Sequence, residues 1–440
     1  MLNCYVGTKT ARLYNSATGE GYAMVMIHGD EVLVSTTPDF SSSQRIAAEF
    51  RGRHGYVKQN QLKQEPDLEV YFIDVGQGDA TFIVTPGRKR ILVDGGIDNR
   101  ALGFLVWLYR LDQPGNSVDI DLLVLSHADS DHLRGLNPIV EHPAIHVKQI
   151  IHSGIATFRE GVRGTTLGDL DASGTFLVTR HDRMADLVPS ELSADFRAWR
   201  DAVVNEDCDY RAVSAADASW DIEDGDIGIE VLAPHLEPTP DGGSGFRWFE
   251  SKSQTINGHS VVLRLTYRDV ALVLPGDINI PGSKHLLSVP AAAAGLSAQI
   301  LKAPHHGSHE YHVQFLEAVR PQVSVVSSGD DPDHGHPRAN FLAAVGRVSR
   351  SPEPLLFATE IAATFVETGD ELPADAPGDL AELDFSDSGY NVLARRLFKQ
   401  RLPGLINVRT DGHDLFAARR VNASYKWESY GPHRAAPHPD

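Results

Sequence analysis

Four side chains able to bind a metal ion fall within six residues in the segment Ser126-His127-Ala128-Asp129-Ser130-Asp131-His132. An apolar strand, Asp121 to Ser126, leads into it, and a helix is expected to follow. A strand end holds such ligands rigidly, and a tight turn can aim alternate residues at two neighbouring cations. Leu274-Pro275-Gly276-Asp277 ends another apolar strand with a carboxylate, the place for a ligand shared between two cations. On its own, Gly-Asp would be only a turn. The next strand closes in Lys302-Ala303-Pro304-His305-His306-Gly307-Ser308. Adjacent histidines usually diverge, so one can coordinate while the other meets substrate or packs; His306 is the preferred ligand. The two cysteines, Cys4 and Cys208, stand too far apart in sequence for a CxxC knuckle or a disulfide framework, which leaves imidazole and carboxylate as the donors.

Several elements are needed to position these residues. Leu68 to Val75 and Ala80 to Val84 read as strands joined by Gly76-Gln77-Gly78-Asp79, and Ile91 to Val93 is a short buried strand running into Asp94. A helix is expected over Ala101 to Leu111, and further strands over Ile227 to Leu232, Val261 to Tyr267, Val270 to Leu274, Ile300 to Ala303 and Val323 to Ser327. Alternating strands and helices imply a layered α/β domain, here 68–425. Residues 155–220 are irregular, with a helix expected over Ser190 to Val204, and read as a lid or insertion beside the site. The segment 404–421 reads as a returning hairpin, and 426–440, rich in Pro and His, as a flexible tail.

Before the linker Gln64-Glu65-Pro66-Asp67, residues 1–65 carry short β-rich runs broken by Gly, Asn and Asp. Arg53-His54-Gly55-Tyr56-Val57-Lys58 and Asn60-Gln61-Leu62 resemble the closing strand and turn of bacterial SH3-like domains. That resemblance implies a small β-barrel able to bind a peptide, a protein partner or cell-wall material, or one that packs against the enzyme or mediates oligomerisation.

With 42% hydrophobic and 22% charged residues over 440 positions, the chain can bury two cores. No stretch approaches about eighteen consecutive apolar residues. The first nineteen residues lack the basic and apolar regions of a signal peptide, so a cytoplasmic location without membrane insertion is expected. A net charge of -19 repels a polyanion unless cations or a local basic patch override it. Tight nonspecific binding of long duplex nucleic acid is therefore disfavoured, although a phosphodiester substrate, nucleic acid or nucleotide, is not excluded, because carboxylates that bind metals count as negative until the metals neutralise them.

In order along the chain, Asp94, the His127–His132 cluster, Asp277 and His305-His306 resemble the motifs of the metallo-β-lactamase superfamily. More closely, Asp74-Val75-Gly76-Gln77-Gly78-Asp79, the HxDxDH form of the cluster, Pro304 to Ser308 and Gly335-His336-Pro337 resemble the hydrolase domain of ComEC competence proteins. The resemblance spans roughly 68–340 plus the terminal hairpin. It implies an α/β fold, an αββα sandwich following the small barrel, and a site with two divalent metal ions, Zn or Mn. The chain carries none of that family's membrane-spanning channel segments, so a stand-alone relative is expected. It also has Leu136 after Gly135, where the family usually repeats glycine. The wider superfamily supplies a further histidine, and His259, eighteen residues before Asp277, stands near its place as either ligand or turn residue. His152 and His235 are read as structural.

The resemblance implies His127, Asp129 and His259 on one metal, Asp131, His132 and His306 on the other, and Asp277 bridging. Asp94 and Asp79 would orient ligands without binding metal themselves. Asp131, Lys302, His305 and His336 are the candidates for direct catalytic roles, the last three as donors to a phosphate or leaving group. Two cations sharing a water can lower its pKa from 15.7 to about 7. The expected activity is that of a nuclease or phosphodiesterase. A hydrolase of small esters, thioesters or lactams is the alternative, since the same core serves all of them. A third reading is an interaction protein acting through its SH3-like domain, which the retained ligands disfavour.

Overall fold

A computed structural model describes residues 1–329, 335–360, 404–421 and 426–437. Two large sheets lie face to face. The first has nine strands in the order Asp209–Ala212, Gln149–His152, Leu122–Leu125, Arg90–Val93, Thr81–Val84, Leu68–Phe72, Ile406–Thr410, Asp414–Val421, Lys426–Arg434. The second has six, in the order Ile227–Ala233, Val262–Tyr267, Val270–Leu274, Ile300–Lys302, Val323–Val326, Leu355–Ala358.

Strand periodicity explains the layering. Successive side chains point to opposite faces, so Leu122 and Val124 enter the core between the sheets while Leu123 and Leu125 face the helices outside. Phe72, Ile83, Leu263, Leu272 and Val325 share the inter-sheet core. Outside the first sheet, Leu105 of helix Arg100–Tyr109 and Trp199 of helix Ala194–Asn205 pack with Phe82 and Ile150. Outside the second, Leu286, Leu316 and Phe341 come from three further helices. The result is a helix–sheet–sheet–helix sandwich with both faces of each central strand buried.

Segment 155–220 packs into this framework. Its helix starts at Ala194, later than the expected Ser190, because the Ser193 side chain accepts from the Phe196 amide and caps it there. Phe196, Trp199 and Val203 then line one buried face, and Asp209–Ala212 joins the sheet as its edge strand.

Two expectations are corrected. The first seven strands form an open sheet, ordered Tyr22–Ile27, Thr10–Tyr14, Arg53–Lys58, Arg45–Phe50, Glu31–Val34, Leu2–Val6, Leu62–Lys63, and not a closed barrel. Its two outermost strands do not pair, and Leu62–Lys63 offers only two residues of backbone to close a barrel. The expected tail over 426–440 is also not a tail through most of its length. Lys426–Arg434 pairs antiparallel with Asp414–Val421, Tyr430 packs on Phe357 at 5.4 Å, and Gln322 and Gln299 bond to the backbone of Arg434 and Ala436. Residues 438–440, and the Asp333-His334 part of the turn before Gly335, lie outside the described residues. Among those described, no helix is long and apolar enough to cross a membrane.

Candidate metal centre

Both sheets end their central strands at one edge. In the first sheet Arg90–Val93 and Leu122–Leu125 run parallel, so Asp94 and Ser126 leave the sheet side by side. Asp94 adopts a left-handed backbone (φ 60°), uncommon for a residue with a side chain. Its carboxylate accepts from the Ser126 amide (2.7 Å), the Ser126 hydroxyl (2.7 Å) and His132 Nδ1 (2.8 Å). Ser126 Oγ also lies 3.0 Å from His127 Nδ1. In the second sheet Val270–Leu274, Ile300–Lys302 and Val323–Val326 run parallel and deliver Asp277, His305-His306 and Ser327 to the same edge. His305 and His306 are both left-handed (φ 46° and 52°), and the Ser327 carbonyl accepts from His306 Nδ1 at 3.1 Å. Gly78, at φ 112°, lets the loop before Asp79 approach closely; a Cβ there would overlap the Asp131 carbonyl.

Four buried residues converge: one ligand atom each from Asp79, His132, Asp277 and His306 lies within 4.8 Å of the others. His132 Nε2 and His306 Nε2 stand 3.3 and 3.0 Å from Asp277 Oδ2. Asp131 Oδ2 is 3.4 Å from His306 Nε2, with Gln77 reaching it from the neighbouring loop at 3.4 Å. His127 stacks obliquely on His132 with ring centres 4.1 Å apart, and Asp129, a third exposed, lies 3.7 Å from His127 Nε2. Lys302 is buried against Asp79, 3.6 Å from Asp277 Oδ1 and 3.3 Å from the Gly276 carbonyl.

The donor set fits divalent cations. Nε2 of His127, His132 and His306 and one oxygen each of Asp79 and Asp277 are buried without a well-aligned hydrogen bond, and Nε2 of His132 and His306 are held only by ion-pair contacts to the carboxylates. The Nδ1 atoms of the three imidazoles are meanwhile occupied by Ser126, Asp94 and the Ser327 carbonyl, which is how metal-binding histidines are oriented with Nε2 free.

As side chains alone, the group is strongly polarised. Burial, then the neighbouring His132, pushes His127 down to about 4. Burial, then Asp131, pushes Asp129 up to about 6. Burial would raise Asp277 and Asp131 as well, but His306 and His132 hold both carboxyls well below the usual range. The same carboxylates keep His132 and His306 protonated against their burial. A bound cation would displace those protons.

The remaining sequence candidates separate. His305 lies at the rim, a fifth exposed, with Nε2 4.0 Å from Asp277. The His336 ring is about 6 Å from both His305 and His306. Asp94 touches His132, as a residue that orients a ligand would, whereas Asp79 stands within the converging four. His259 is turned elsewhere: its Nε2 bonds to the Arg247 carbonyl at 2.7 Å and its ring stacks on Phe249. Burial pushes His152 down to about 3, beside Tyr210, and His235 sits against His285. Ser126 and Gln77 escaped the reading of the sequence, although Ser126 directly precedes the metal motif and Gln77 lies inside the Asp74–Asp79 motif.

The chain is 23% identical over 296 residues to ComE operon protein 3 of Bacillus subtilis (strain 168), covering 64% of this chain and 31% of that protein. It is 37% identical over 274 residues to competence protein ComA of Neisseria gonorrhoeae, covering 62% and 29%. The chain thus spans about a third of the length of these relatives. A solved structure, the β-lactamase-superfamily metal-dependent hydrolase Tm1679, aligns at 12% identity over 69% of this chain and 100% of its own, with a TM-score of 0.37. The model of the metallo-β-lactamase superfamily matches residues 73–329. Because that span is more than half of the chain and includes every strand that carries a converging side chain, the chain belongs to the metallo-β-lactamase superfamily of hydrolases.

Proposed function

We propose that the chain is a metal-dependent phosphodiesterase acting on nucleic acid, single-stranded in preference to duplex. The observation that carries the reading is the convergence of Asp79, His132, Asp277 and His306 at the strand ends, one ligand atom of each within 4.8 Å of the others. The nucleic-acid part rests on the motif resemblance and on the competence proteins among the relatives.

His127, Asp129, Asp131, His132, Asp277 and His306 would hold two divalent cations. Bound there, the cations would supply hydroxide near neutral pH and offset charge on the phosphoryl oxygens. Asp94 and Ser126 orient the imidazoles. Lys302 balances the buried Asp79 and Asp277. His305, at the rim with Nε2 4.0 Å from Asp277, would donate to the phosphoryl or leaving oxygen of the substrate. His336 lies beside it as a further donor to the substrate. With three aspartates in the ligand set, Mn²⁺ competes with Zn²⁺.

The test is elemental analysis of purified protein, paired with cleavage of a single-stranded oligonucleotide by wild type and Asp131→Ala in Mn²⁺ and in Zn²⁺. Two metals per chain and Asp131-dependent cleavage are expected. Two metals without cleavage would redirect the search to small esters, thioesters or lactams, and no metal under any loading would overturn the reading.

A further inference from the structure

The segment 126–135 that carries four of the candidate ligands is anchored at both ends. Asp94 holds Ser126, while at the far end the Gly95 amide donates to the His132 carbonyl (2.8 Å) and the Gly135 amide to the Gly96 carbonyl (2.9 Å). What lies between is a helix of only four residues, Ser130–Leu133. Isolated helices shorter than about 12–15 residues are marginal, so a single turn needs support from outside itself.

That support reaches it from the insertion 155–220. Asp195, in the first turn of helix Ala194–Asn205, accepts from the Ser130 hydroxyl at 2.6 Å with one oxygen and lies 3.2 Å from Arg134 Nε with the other. The two contacts are unequal. The Arg134 side chain is half-exposed, and exposed ion pairs contribute little, whereas a short bond from a hydroxyl to a carboxylate is charge-assisted. Ser130 stands between Asp129 and Asp131, with consecutive Cα atoms about 3.8 Å apart, so whatever fixes Ser130 constrains both neighbouring carboxylates. The helix that carries Asp195 is itself pinned. Its capping Ser193 hydroxyl lies 2.6 Å from the Thr157 hydroxyl, the Ser193 amide donates to the Thr157 carbonyl at 2.9 Å, and Phe196 and Trp199 share a core with Leu133 and Leu136.

We infer that Asp195 is a positioning residue for the metal centre: through the Ser130 hydroxyl it sets the directions of Asp129 and Asp131, so that the insertion braces the metal loop. The inference rests on the metal-dependent reading of the site and is independent of the substrate.

The experiment measures Zn²⁺ affinity of the full chain by competition with a chromophoric chelator, together with the visible absorption of the Co²⁺-loaded protein, which reports ligand geometry without turnover. Asp195→Ala should weaken Zn²⁺ binding about tenfold, the lower end of the range for residues that orient ligands, and should change the Co²⁺ bands. Ser130→Ala should do the same, and the double variant should bind no more weakly than either alone, because both substitutions remove one bond. Asp195→Asn keeps an oxygen that accepts from Ser130 and should retain most of the affinity, and Arg134→Gln should behave as wild type. Wild-type affinity and Co²⁺ bands in Asp195→Ala, even with a lowered urea midpoint, would reduce Asp195 to a support of the fold and overturn the inference; so would losses that add in the double variant. If Asp195→Ala does not fold, Ser130→Ala and Asp195→Asn decide the matter by the same two readouts. The metal reading is judged separately, by whether wild type binds Zn²⁺ or Co²⁺ at all.

Discussion

Asp94 holds two imidazoles at once. It accepts directly from His132 and reaches His127 through the Ser126 hydroxyl, so one carboxylate sets the direction in which two Nε2 atoms point. Removing such a support typically costs about 10–100-fold in metal affinity. Asp94→Ala should fall in that range, and Ser126→Ala, which releases only His127 from the chain, should lose less. Competition with a chromophoric chelator measures both, and equal affinity in wild type and Asp94→Ala would remove Asp94 from this role. Much of the site was legible in the sequence for a physical reason: a strand end crowded with His and Asp has few uses besides metal binding. Ser126 was not, because a serine closing a strand looks like any other strand end until its hydroxyl is seen between Asp94 and His127. For His259, sequence spacing could not say which way the ring turns; the Arg247 carbonyl and the Phe249 ring decide that.

The strand Ile406–Thr410 ties the N-terminal sheet to the sandwich through one side chain. Arg409 bonds to the His28 carbonyl and pairs with Asp30 at 2.9 Å and Glu69 at 3.0 Å, all of them buried. Arg409→Leu would leave the buried Asp30 without its cation and Glu69 with only Arg88, at 3.5 Å, at a cost of about 3–5 kcal/mol. Urea denaturation reads this directly, and a loss under about 1 kcal/mol would show that the network relaxes to water. Close by, burial opposes the charged form of Asp67, but His28 at 3.0 Å and Lys63 outweigh it and hold its carboxyl below the usual range. A lowered folded-state value means that the unfolded chain binds the proton more tightly. The stabilisation is therefore present above about pH 4, near the unfolded value, and is lost as pH falls through the folded one. Between pH 5 and pH 3 the urea midpoint of wild type should drop further than that of Asp67→Asn; parallel drops would place the acid sensitivity elsewhere. These tertiary links also explain what the sequence concealed at this scale. The β-runs of residues 1–65 were visible, but whether they close a barrel depends on the pairing of the outermost strands. Lys426–Arg434 looked like a tail because Pro432 and His433 resemble a frayed end, whereas Tyr430 and the backbone bonds from Gln322 and Gln299 dock it.

Seen whole, the metal centre lies on the seam between the two sheets. The first sheet brings His127, Asp129, Asp131 and His132, with Asp79 beside them, and the second brings Asp277 and His306, so neither layer by itself would hold the full candidate ligand set. The layered α/β class could be read from alternating apolar strands and helices, but this division of the ligands emerges only once the sheets are stacked. Cation binding must then be linked to the packing of the sandwich, because a ligand that binds only the assembled state stabilises it by RT ln(1 + [L]/Kd). At a free metal concentration a hundredfold above Kd this amounts to about 2.7 kcal/mol. Neutralising clustered carboxylates in a chain of net charge -19 acts in the same direction. Chelation should therefore lower the urea midpoint of the wild-type protein, and restoring Mn²⁺ or Zn²⁺ should return it. Asp277→Ala, which removes the carboxylate facing Nε2 of both His132 and His306, should unfold at the same urea concentration with or without chelator. If the wild type shows no such shift, the strand-end cluster is a buried charge network complete in itself. If Asp277→Ala retains the full shift, the stabilising cation binds somewhere other than this seam.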